Sequence, residues 1–214
     1  MTTLDPFVLQ GELVTLEPME RGHVDDLVAA ACESRRTYGL AHVPHDRETM
    51  AAWIDFALRE QEAGRHLPFV IRWRASERVV GSTRFHDLEP WQWPADSRHQ
   101  RTGRPDAAEI GSTWLAESAQ RTGANVESKL LLMTHAFEVW EVHRVRLRTD
   151  ERNARSRQAI EGLGAHFDGV LRGDKAGGDD TVRNSAFYSI LASEWPSVKA
   201  RLRERLHARA ATTD

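Results

Sequence analysis

One glycine-bearing turn in this sequence has the composition of an anion-binding site. Residues 120–125 read Gln-Arg-Thr-Gly-Ala-Asn and lead into an apolar-periodic helix predicted over 126–140. The first turn of a helix exposes backbone N–H groups without intrahelical partners, and the helix dipole adds positive potential there. Phosphate suits that geometry. The alternative is that Gly123 merely serves a tight turn, because short glycine motifs arise often by chance.

Other nucleotide-binding and nucleophile motifs do not fit this chain. The Walker pattern needs two glycines and a Lys-Ser or Lys-Thr pair, and the dinucleotide pattern needs three glycines, whereas residues 120–129 contain only Gly123. The Gly-x-Ser-x-Gly turn of serine hydrolases is also missing from the sequence. Cys32 is the only cysteine, which excludes an intramolecular disulfide and a cysteine-built zinc site.

Four segments in chain order resemble one known family. Residues 120–125 match its coenzyme A signature, Gln/Arg-x-x-Gly-x-Gly/Ala, although Asn125 stands where Gly or Ala is usual. Residues 109–114 (Glu-Ile-Gly-Ser-Thr-Trp) resemble its central strand, and residues 153–156 (Asn-Ala-Arg-Ser) resemble its Asn-x-x-Ser element. Residues 164–172 continue in the same style. The family is the GNAT superfamily of N-acyltransferases, and the branch is the one containing ribosomal-protein N-terminal acetyltransferases.

The resemblance implies a cleft for acetyl-CoA where two central strands splay apart. Backbone groups of the strand end would pair with the pantetheine arm, and N–H groups of the following loop would hold the pyrophosphate. An Asn at the start of the next helix would orient the arm while capping that helix. The residues expected to contact acetyl-CoA are Trp114, Leu115, Ala116, Gln120, Arg121, Thr122, Gly123, Ala124, Asn125, Val126, Asn153 and Ser156.

Two residues are the candidates for catalysis. Many family members protonate the leaving thiolate with a tyrosine, but Ile160 occupies that position here, so Ser156 is the proposed hydroxyl donor. A purely structural serine in the first helical turn is the alternative. Glu109 is the proposed general base for the amine, and a sheet residue paired with an arginine is its alternative. His86 and His135 are weaker candidates.

The order of predicted elements gives a mixed α/β sheet covered by helices. The resemblance implies an α/β (α+β) fold whose central sheet is mixed, mostly antiparallel and flanked by helices. We expect a single domain over 1–214, with a core of about 10–195 and a C-terminal helical tail over 194–210. Strands are predicted at 12–17, 67–74, 78–86, 107–116, 143–149, 165–172 and 182–191. Helices are predicted at 20–33, from the Asp46 N-cap to Gly64, at 126–140, at 154–163 with Asn153 as N-cap, and from 194 onwards. Residues 89–106 are predicted as a long loop.

The strand at 143–149 places Arg144, Arg146 and Arg148 on one face. These arginines could contact an acidic substrate or the 3′-phosphate of coenzyme A, or form a solvated face. A nucleic-acid-binding protein is a further alternative. The formal net charge of −3 gives no general attraction to nucleic acid, however, so no nucleic-acid partner is predicted.

The remaining predictions concern partners and location. No apolar stretch is long enough to span a membrane, and the N-terminus lacks a signal-peptide pattern, so a cytoplasmic protein with no membrane partner is predicted. His42 and His45 are interpreted as loop residues, and no metal is expected. Trp91 and Trp93 could line the acceptor pocket or a homodimer contact. The predicted function is N-acetyl transfer from acetyl-CoA to an amine acceptor; a non-catalytic CoA-binding module is the alternative.

Overall fold

Strands with alternating or continuous apolar residues build a sheet that runs through the molecule. A computed structural model describes residues 5–100 and 103–210 of the chain. The strands are β1 Leu9–Gln10, β2 Val14–Pro18, β3 Leu67–Trp73, β4 Arg78–Glu89, β5 Ala107–Leu115, β6 Arg144–Asp150, β7 His166–Ala176 and β8 Val182–Leu191. The helices are α1 Val24–Cys32, α2 Arg47–Glu62, α3 Ala124–Glu138, α4 Ala154–Glu161 and α5 Trp195–Ala210.

The strands lie in the order β1-β2-β3-β4-β5-β6-β8-β7. Neighbours run antiparallel except β5 and β6, which are parallel. The connection between those two strands contains α3, as a parallel crossover requires. The predicted mixed, mostly antiparallel sheet flanked by helices is therefore confirmed.

Helix ends follow local capping chemistry. Asp46 accepts a hydrogen bond from the backbone N–H of Thr49 at 2.8 Å, so the predicted N-cap of α2 is confirmed. Gly64, with φ of 71°, lies just past the C-terminus of α2 as predicted. The segment predicted as a helix over 20–33 starts instead with a 3-10 turn at Arg21–His23.

Two strands are longer than the sequence pattern predicts. β4 continues past 86 to Glu89, which pairs with Ala107, and β7 continues past 172 to Ala176, which pairs with Val182. These extensions are polar or irregular, and both follow register shifts. Backbone hydrogen bonds to a neighbouring strand can hold such residues in a sheet. Because these residues do not alternate between apolar and polar, the sequence pattern does not predict them as strand.

Helix α3 is buried between the sheet and α5. Phe85 of β4 lies with its ring centroid 4.7 Å from that of Trp140, just past the end of α3. On the other side of α3, Phe137 stacks on Trp195 of α5 at 5.1 Å. Apolar burial on both sides fixes the helix position, and with it the loop that leads into the helix. None of the helices within the described ranges combines the length and apolar character needed to traverse a bilayer.

Candidate functional site

The two parallel central strands separate soon after they pair. β5 and β6 are hydrogen-bonded neighbours only over Ala107–Glu109 and Arg144–Arg146. Beyond that point β5 continues along β4 to Leu115, while β6 continues along β8 to Asp150. The diverging strands leave a wedge between them, with its apex just past Glu109. This wedge lies at the position where the sequence predicted a splayed cleft.

A β-bulge lies beside the apex of the wedge. Ser82 pairs with Trp114 and Arg84 pairs with Gly111, so two residues of β5, Ser112 and Thr113, oppose one residue of β4. Ser112 adopts φ of 46°, which side-chain-bearing residues rarely do. A bulge bends its strand and increases the local twist. It accounts for the departure of β5 from β6.

The chain before α3 leaves backbone amides at the start of the helix without intrahelical partners. Gly123 is the N-cap with φ of 110°, and no side chain caps the helix. The first intrahelical hydrogen bond runs from Glu127 N–H to the Gly123 carbonyl at 2.9 Å, so the N–H groups of Asn125 and Val126 precede it. A Cβ on Gly123 would meet Leu13 Cδ1 at 3.0 Å. The positive φ favours glycine here, and the Asn125 and Val126 amides, which have no intrahelical partner, suit a diphosphate.

A buried carboxylate holds this loop in place. Glu127, in the first turn of α3, accepts hydrogen bonds from the backbone N–H groups of Glu12, Leu13 and Val14 at 2.7–2.8 Å. A Cβ on Gly11 would lie 2.4 Å from the Glu127 Cδ, so the turn can approach only as glycine. The turn before β2 is therefore fastened to α3, and it carries the Leu13 side chain against Gly123.

The start of α4 lies against the same loop. Asn153 Oδ1 accepts the backbone N–H of Ser156 at 3.0 Å, so the predicted N-cap is confirmed. Arg155 donates to Gln120 Oε1 at 2.7 Å, and Gln120 Nε2 donates to the Leu115 carbonyl at 2.9 Å. These bonds link the starts of α3 and α4 across the open end of the wedge. The Ser156 hydroxyl is half-buried and makes no hydrogen bond within the described part of the chain.

Tyr38 also reaches the wedge, although the sequence analysis missed it. Its hydroxyl donates to the Leu115 carbonyl at 2.7 Å, and its ring packs edge-on against Trp114. Burial raises the pKa of Tyr38 to about 12, so the hydroxyl remains a donor at neutral pH. The Ala116 N–H is already bonded to the Val80 carbonyl at 2.8 Å. Tyr38 lies in an irregular segment, where no periodicity marks a residue as buried.

Near the apex, Glu109 is buried among cations. Its side chain is 1% exposed, and Arg146 Nε donates to its Oε2 at 2.7 Å. Arg148 Nε lies 2.8 Å from Oε1 without hydrogen-bond alignment, so that oxygen accepts no hydrogen bond within the described residues. Burial raises the pKa of Glu109, and Arg148 and Arg146 oppose the rise. These contacts match the alternative in which Glu109 is a sheet residue paired with an arginine. Proton abstraction by Glu109 stays a prediction.

The arginine face of β6 is covered by carboxylates rather than open. Arg144 contacts Glu89 at 2.9 Å, and Arg146 contacts Asp87 at 2.9 Å. Arg148 lies 3.5 Å from Asp87. Ion-paired arginines are poorly available to a phosphate backbone. The contacts therefore argue against the nucleic-acid alternative and against a role for this face in holding the coenzyme 3′-phosphate.

The two histidine candidates lie in different environments. His86 Nε2 lies 3.8 Å from Glu109 Oε1, and its ring fills the space beside Gly111, where a Cβ would be 2.4 Å away. Burial lowers the pKa of His86 well below its ordinary value, so the ring is neutral at pH 7. His135 stacks on Phe7 at 3.9 Å and packs against Trp140. Its role is therefore apolar packing.

A buried lysine lies behind the bulge. Lys129 on α3 is 4% exposed, and its ammonium contacts the hydroxyls of Thr83 and Thr113. Those two hydroxyls are themselves 2.8 Å apart. Burial lowers the pKa of Lys129 to about 7. Its sequence position on an apolar helix face gave no sign that it reaches the sheet.

A cavity of about 480 Å³ opens at Asp87 and Glu89, two carboxylates that contact Arg146. Its lining residues are Glu60, Arg65, His66, Asp87, Leu88, Glu89 and Pro90. Trp91 and Trp93 lie in the neighbouring loop, where Asp106 accepts hydrogen bonds from the Trp91 N–H and the Trp93 indole. Within the described residues, no group of three or more His, Cys, Asp or Glu side chains is arranged to hold a metal ion.

Comparison with known proteins agrees with this geometry. A family model described as an acetyltransferase (GNAT) domain matches residues 14–166. A GCN5-related N-acetyltransferase from Brucella melitensis is 25% identical over 95% of this chain and 87% of its own, with a TM-score of 0.81. A structure from T. thermophilus, named as an acetyltransferase, is 31% identical over 95% of this chain and 98% of its own, with a TM-score of 0.78.

A structure with a bound coenzyme derivative shares the fold. Mycobacterium smegmatis RimJ in complex with CoA-disulfide is 20% identical over 94% of this chain and 95% of its own, with a TM-score of 0.75. No protein of curated function matches the sequence. Because the family model spans residues 14–166, well over half of the sequence, the chain belongs to the GNAT acetyltransferase family.

Proposed function

We propose that this protein is a single-domain N-acetyltransferase that moves an acetyl group from acetyl-CoA to a primary amine by direct attack. The observation that carries this proposal is the set of open amides at the start of α3, at the wide end of the β5–β6 wedge. The anion-binding helix terminus and the strand wedge are the two features that a coenzyme with a diphosphate and an extended arm requires. The CoA-bound relative of the same fold supports it.

The coenzyme-binding roles follow from the contacts. The amides of Arg121 to Val126 would hold the diphosphate, with the Ala124 N–H leaving its 3.3 Å bond to Thr122 Oγ1, and the free edge of β5 up to Leu115 would receive the extended arm. The Leu115 carbonyl already accepts bonds from Tyr38 and Gln120, so those two side chains would have to share it or move. Asn153 keeps α4 capped beside the loop and so fixes the position of Ser156.

The chemistry needs a base, an oxyanion site and an acid. Acetyl-CoA supplies the activated acyl carbon. Glu109, whose Oε1 has no hydrogen-bond donor within the described residues, would accept the amine proton directly or through a water. A backbone N–H of β5 at the bulge would stabilise the oxyanion. The Ser156 hydroxyl, which makes no hydrogen bond within the described ranges, would protonate or solvate the departing thiolate.

The proposed acceptor is a protein N-terminal amine or a small-molecule amine. Proteins of this fold include one named as the RimL ribosomal L7/L12 alpha-N-protein acetyltransferase, at 17% identity. At that identity only the fold is shared, so both kinds of amine stay in the proposal. The cavity of about 480 Å³ lined by Asp87 and Glu89 is large enough for a small acceptor.

A non-catalytic CoA-binding module is the second candidate. Ile160 stands where many family members carry a tyrosine, and Glu109 is held by two arginines. Both observations would fit a site that binds the coenzyme and has lost turnover. The two candidates differ in one measurable quantity, the release of free thiol.

The test combines binding with turnover. Calorimetry should show CoA binding to the full chain, and acetyl-CoA with a panel of protein and metabolite amines should give free thiol and an acetylated product by mass spectrometry. CoA binding without product across the panel would favour the module. Absence of CoA binding by the folded protein would sink both candidates.

A further inference from the structure

Arg84, in the middle of β4, is a buried cation without a carboxylate. It is 2% exposed, and neither its Nε nor its Nη2 has a hydrogen-bond partner within the described part of the chain. The guanidinium carbon lies 4.4 Å from the centre of the Trp53 ring, which covers one face of the group. Arginines this deeply buried are normally paired, because desolvating a charge is costly.

Within the described residues, each carboxylate of the surrounding site already contacts an arginine other than Arg84. Glu109 is held by Arg146, Asp87 by Arg146 and Arg148, Glu89 by Arg144, and Glu60 by Arg65. The carboxylates that line the cavity therefore do not neutralise Arg84. A missing protein anion at a buried arginine points to an anion from outside the chain.

The other groups around Arg84 add no negative charge. Burial, together with Arg84, lowers the pKa of His66 to about 4, and burial lowers that of His86 well below its ordinary value. Both imidazoles are neutral at pH 7. Lys175 also faces His86 and adds to the positive potential. The local field therefore favours an anionic ligand over a cationic one.

Arg84 is also placed where an acceptor must arrive. Its backbone pairs with Gly111, the second residue past the last β5–β6 pair at Glu109. Paired strands lie about 4.8 Å apart, so Arg84 is one strand from the apex of the wedge. Gly111 carries no side chain of its own, the His86 ring occupies the space beside it, and the bulge at Ser112 follows at once. A molecule that reaches the apex comes within the reach of an arginine side chain.

We propose that Arg84 binds an anionic group, a carboxylate or a phosphate, carried by the amine acceptor. This specificity role rests on the acetyl transfer proposed above. A guanidinium stacked on a tryptophan presents its N–H fork in a fixed plane, and such a fork matches two oxygens of one anion. The acceptor class is then an amine with an acidic group close to its amino group, rather than a polyamine.

The direct test follows the Arg84 side chain by ¹⁵N NMR of arginine Nε–H groups, with CoA at saturation to occupy its own phosphate-binding loop. The Arg84 resonance is identified by its loss in Arg84→Met. Titration with acetate or inorganic phosphate should shift that resonance saturably. The anion with the larger effect shows whether the acidic group of the acceptor is a carboxylate or a phosphate. Tetramethylammonium chloride at equal ionic strength is the control. No shift with either anion in the folded protein overturns the proposal.

The second test measures acceptor preference in matched pairs, such as an α-amino acid against its amide and phosphoethanolamine against ethanolamine. The wild type should favour the anionic member of each pair by about tenfold or more in kcat/KM. A tenfold preference corresponds to a difference of about 1.4 kcal/mol in free energy. Arg84→Met should bring the ratio near one, and Arg84→Lys should restore part of it. Arg72→Met, a half-buried arginine on β3 already paired with Glu17, is the matched control.

The outcomes separate this inference from the proposed function. A preference that survives in Arg84→Met, or equal rates for both members of each pair, overturns the anion role while leaving acetyl transfer intact. A protein that does not bind CoA fails the proposed function, and the NMR titration without CoA then still decides whether Arg84 takes an anion. If Arg84→Met unfolds at a much lower denaturant concentration than wild type and the Arg84 resonance of the wild type responds to neither anion, the residue is assigned to structure alone.

Discussion

The two ends of the β5–β6 wedge are built by different means. At the wide end, the candidate coenzyme site consists of backbone amides before α3, and glycines at 11 and 123 allow the chain to approach closely. At the apex, the candidate acceptor site consists of side chains from β4, β5 and β6, such as the buried Arg84 and Glu109 and the half-buried Arg146. The backbone amides would bind the diphosphate, which all CoA substrates share, whereas the side chains at the apex can differ according to the acceptor.

This difference makes the two ends separable by substitution. Changes at the wide end should act on the dissociation constant of CoA, and changes at the apex should act on turnover and acceptor choice. The following substitutions test that separation.

The largest effect is expected from Glu109→Gln. If Glu109 takes the amine proton, kcat should fall by about a hundredfold or more, because general-base catalysis contributes on that scale. The Kd of CoA should stay within about twofold of wild type, since the apex does not bind the diphosphate. Steady-state kinetics and calorimetry measure the two quantities.

Glu17→Gln is the matched control, because Glu17 is a half-buried carboxylate on β2 that pairs with Arg72. Its kcat should be unchanged. An equal fall of kcat in both variants would assign the loss to general damage. A preserved kcat in Glu109→Gln would remove Glu109 from catalysis and leave it as a partner of Arg146 and Arg148.

Gly123→Ala should weaken CoA binding by about tenfold to a hundredfold. The residue adopts φ of 110°, and a Cβ would press on Leu13 at 3.0 Å, so the loop must shift. Strain of about 1–3 kcal/mol converts to that range in Kd. With acetyl-CoA at saturation, kcat should change little.

Gly173→Ala provides the control for backbone strain alone. Gly173 has φ of 63° on β7, and a Cβ there would meet nothing within 4 Å. Its stability should fall slightly while CoA binding stays as in wild type. If Gly123→Ala bound CoA with wild-type affinity, the assignment of the α3 amides to the diphosphate would be refuted.

Lys129→Met tests the residue that connects the two ends, since Lys129 lies on α3 and contacts the bulge threonines. The folded-state pKa of about 7 is below the ordinary 10.5, so the unfolded chain binds more protons between these values. Wild-type stability should therefore rise with pH from about 7 towards 10. Met removes the buried charge, so it should raise the free energy of unfolding at pH 6 by about 1–4 kcal/mol and flatten this rise.

Denaturant titrations at pH 6 and pH 9 measure both quantities. Thr83→Val is the companion variant, because it removes one hydroxyl partner and leaves the buried lysine with less support. It should destabilise the protein, most strongly at pH 6. A Lys129→Met protein less stable than wild type at pH 6 would mean that the ammonium contributes net stability at the bulge.

Ser156→Ala should give the smallest effect, a fall in kcat of about tenfold or less, because thiolates are good leaving groups that need little protonation. The Asn153 cap uses the backbone of Ser156 and should survive the change. Ser197→Ala in the first turn of α5, whose hydroxyl bonds the Glu194 carbonyl, is the control. Equal kcat for Ser156→Ala and wild type would remove Ser156 from catalysis, and the Tyr38 hydroxyl, which bonds the Leu115 carbonyl, would be tested next.

Local patterns in the sequence determined most of the fold. Period-two and period-3.6 apolar spacing predicts the seven longer strands and the five helices, and side-chain chemistry alone identifies caps such as Asp46 and Asn153. The α3 loop is also local, since its glycine, turn and helix are contiguous in the chain. Short-range backbone constraints depend on neighbouring residues, which is why the sequence alone predicts them.

Only the tertiary structure decided what faces the apex. The pairing of Glu109 with Arg146 and Arg148 joins two strands separated by the whole of α3, and the isolation of Arg84 depends on which carboxylates its neighbours have already taken. Lys129 and Tyr38 acquired their environments in the same way. Burial and long-range charge pairing are properties of the packed chain. A sequence lists the charges, but only packing determines which of them meet and which are left without a partner.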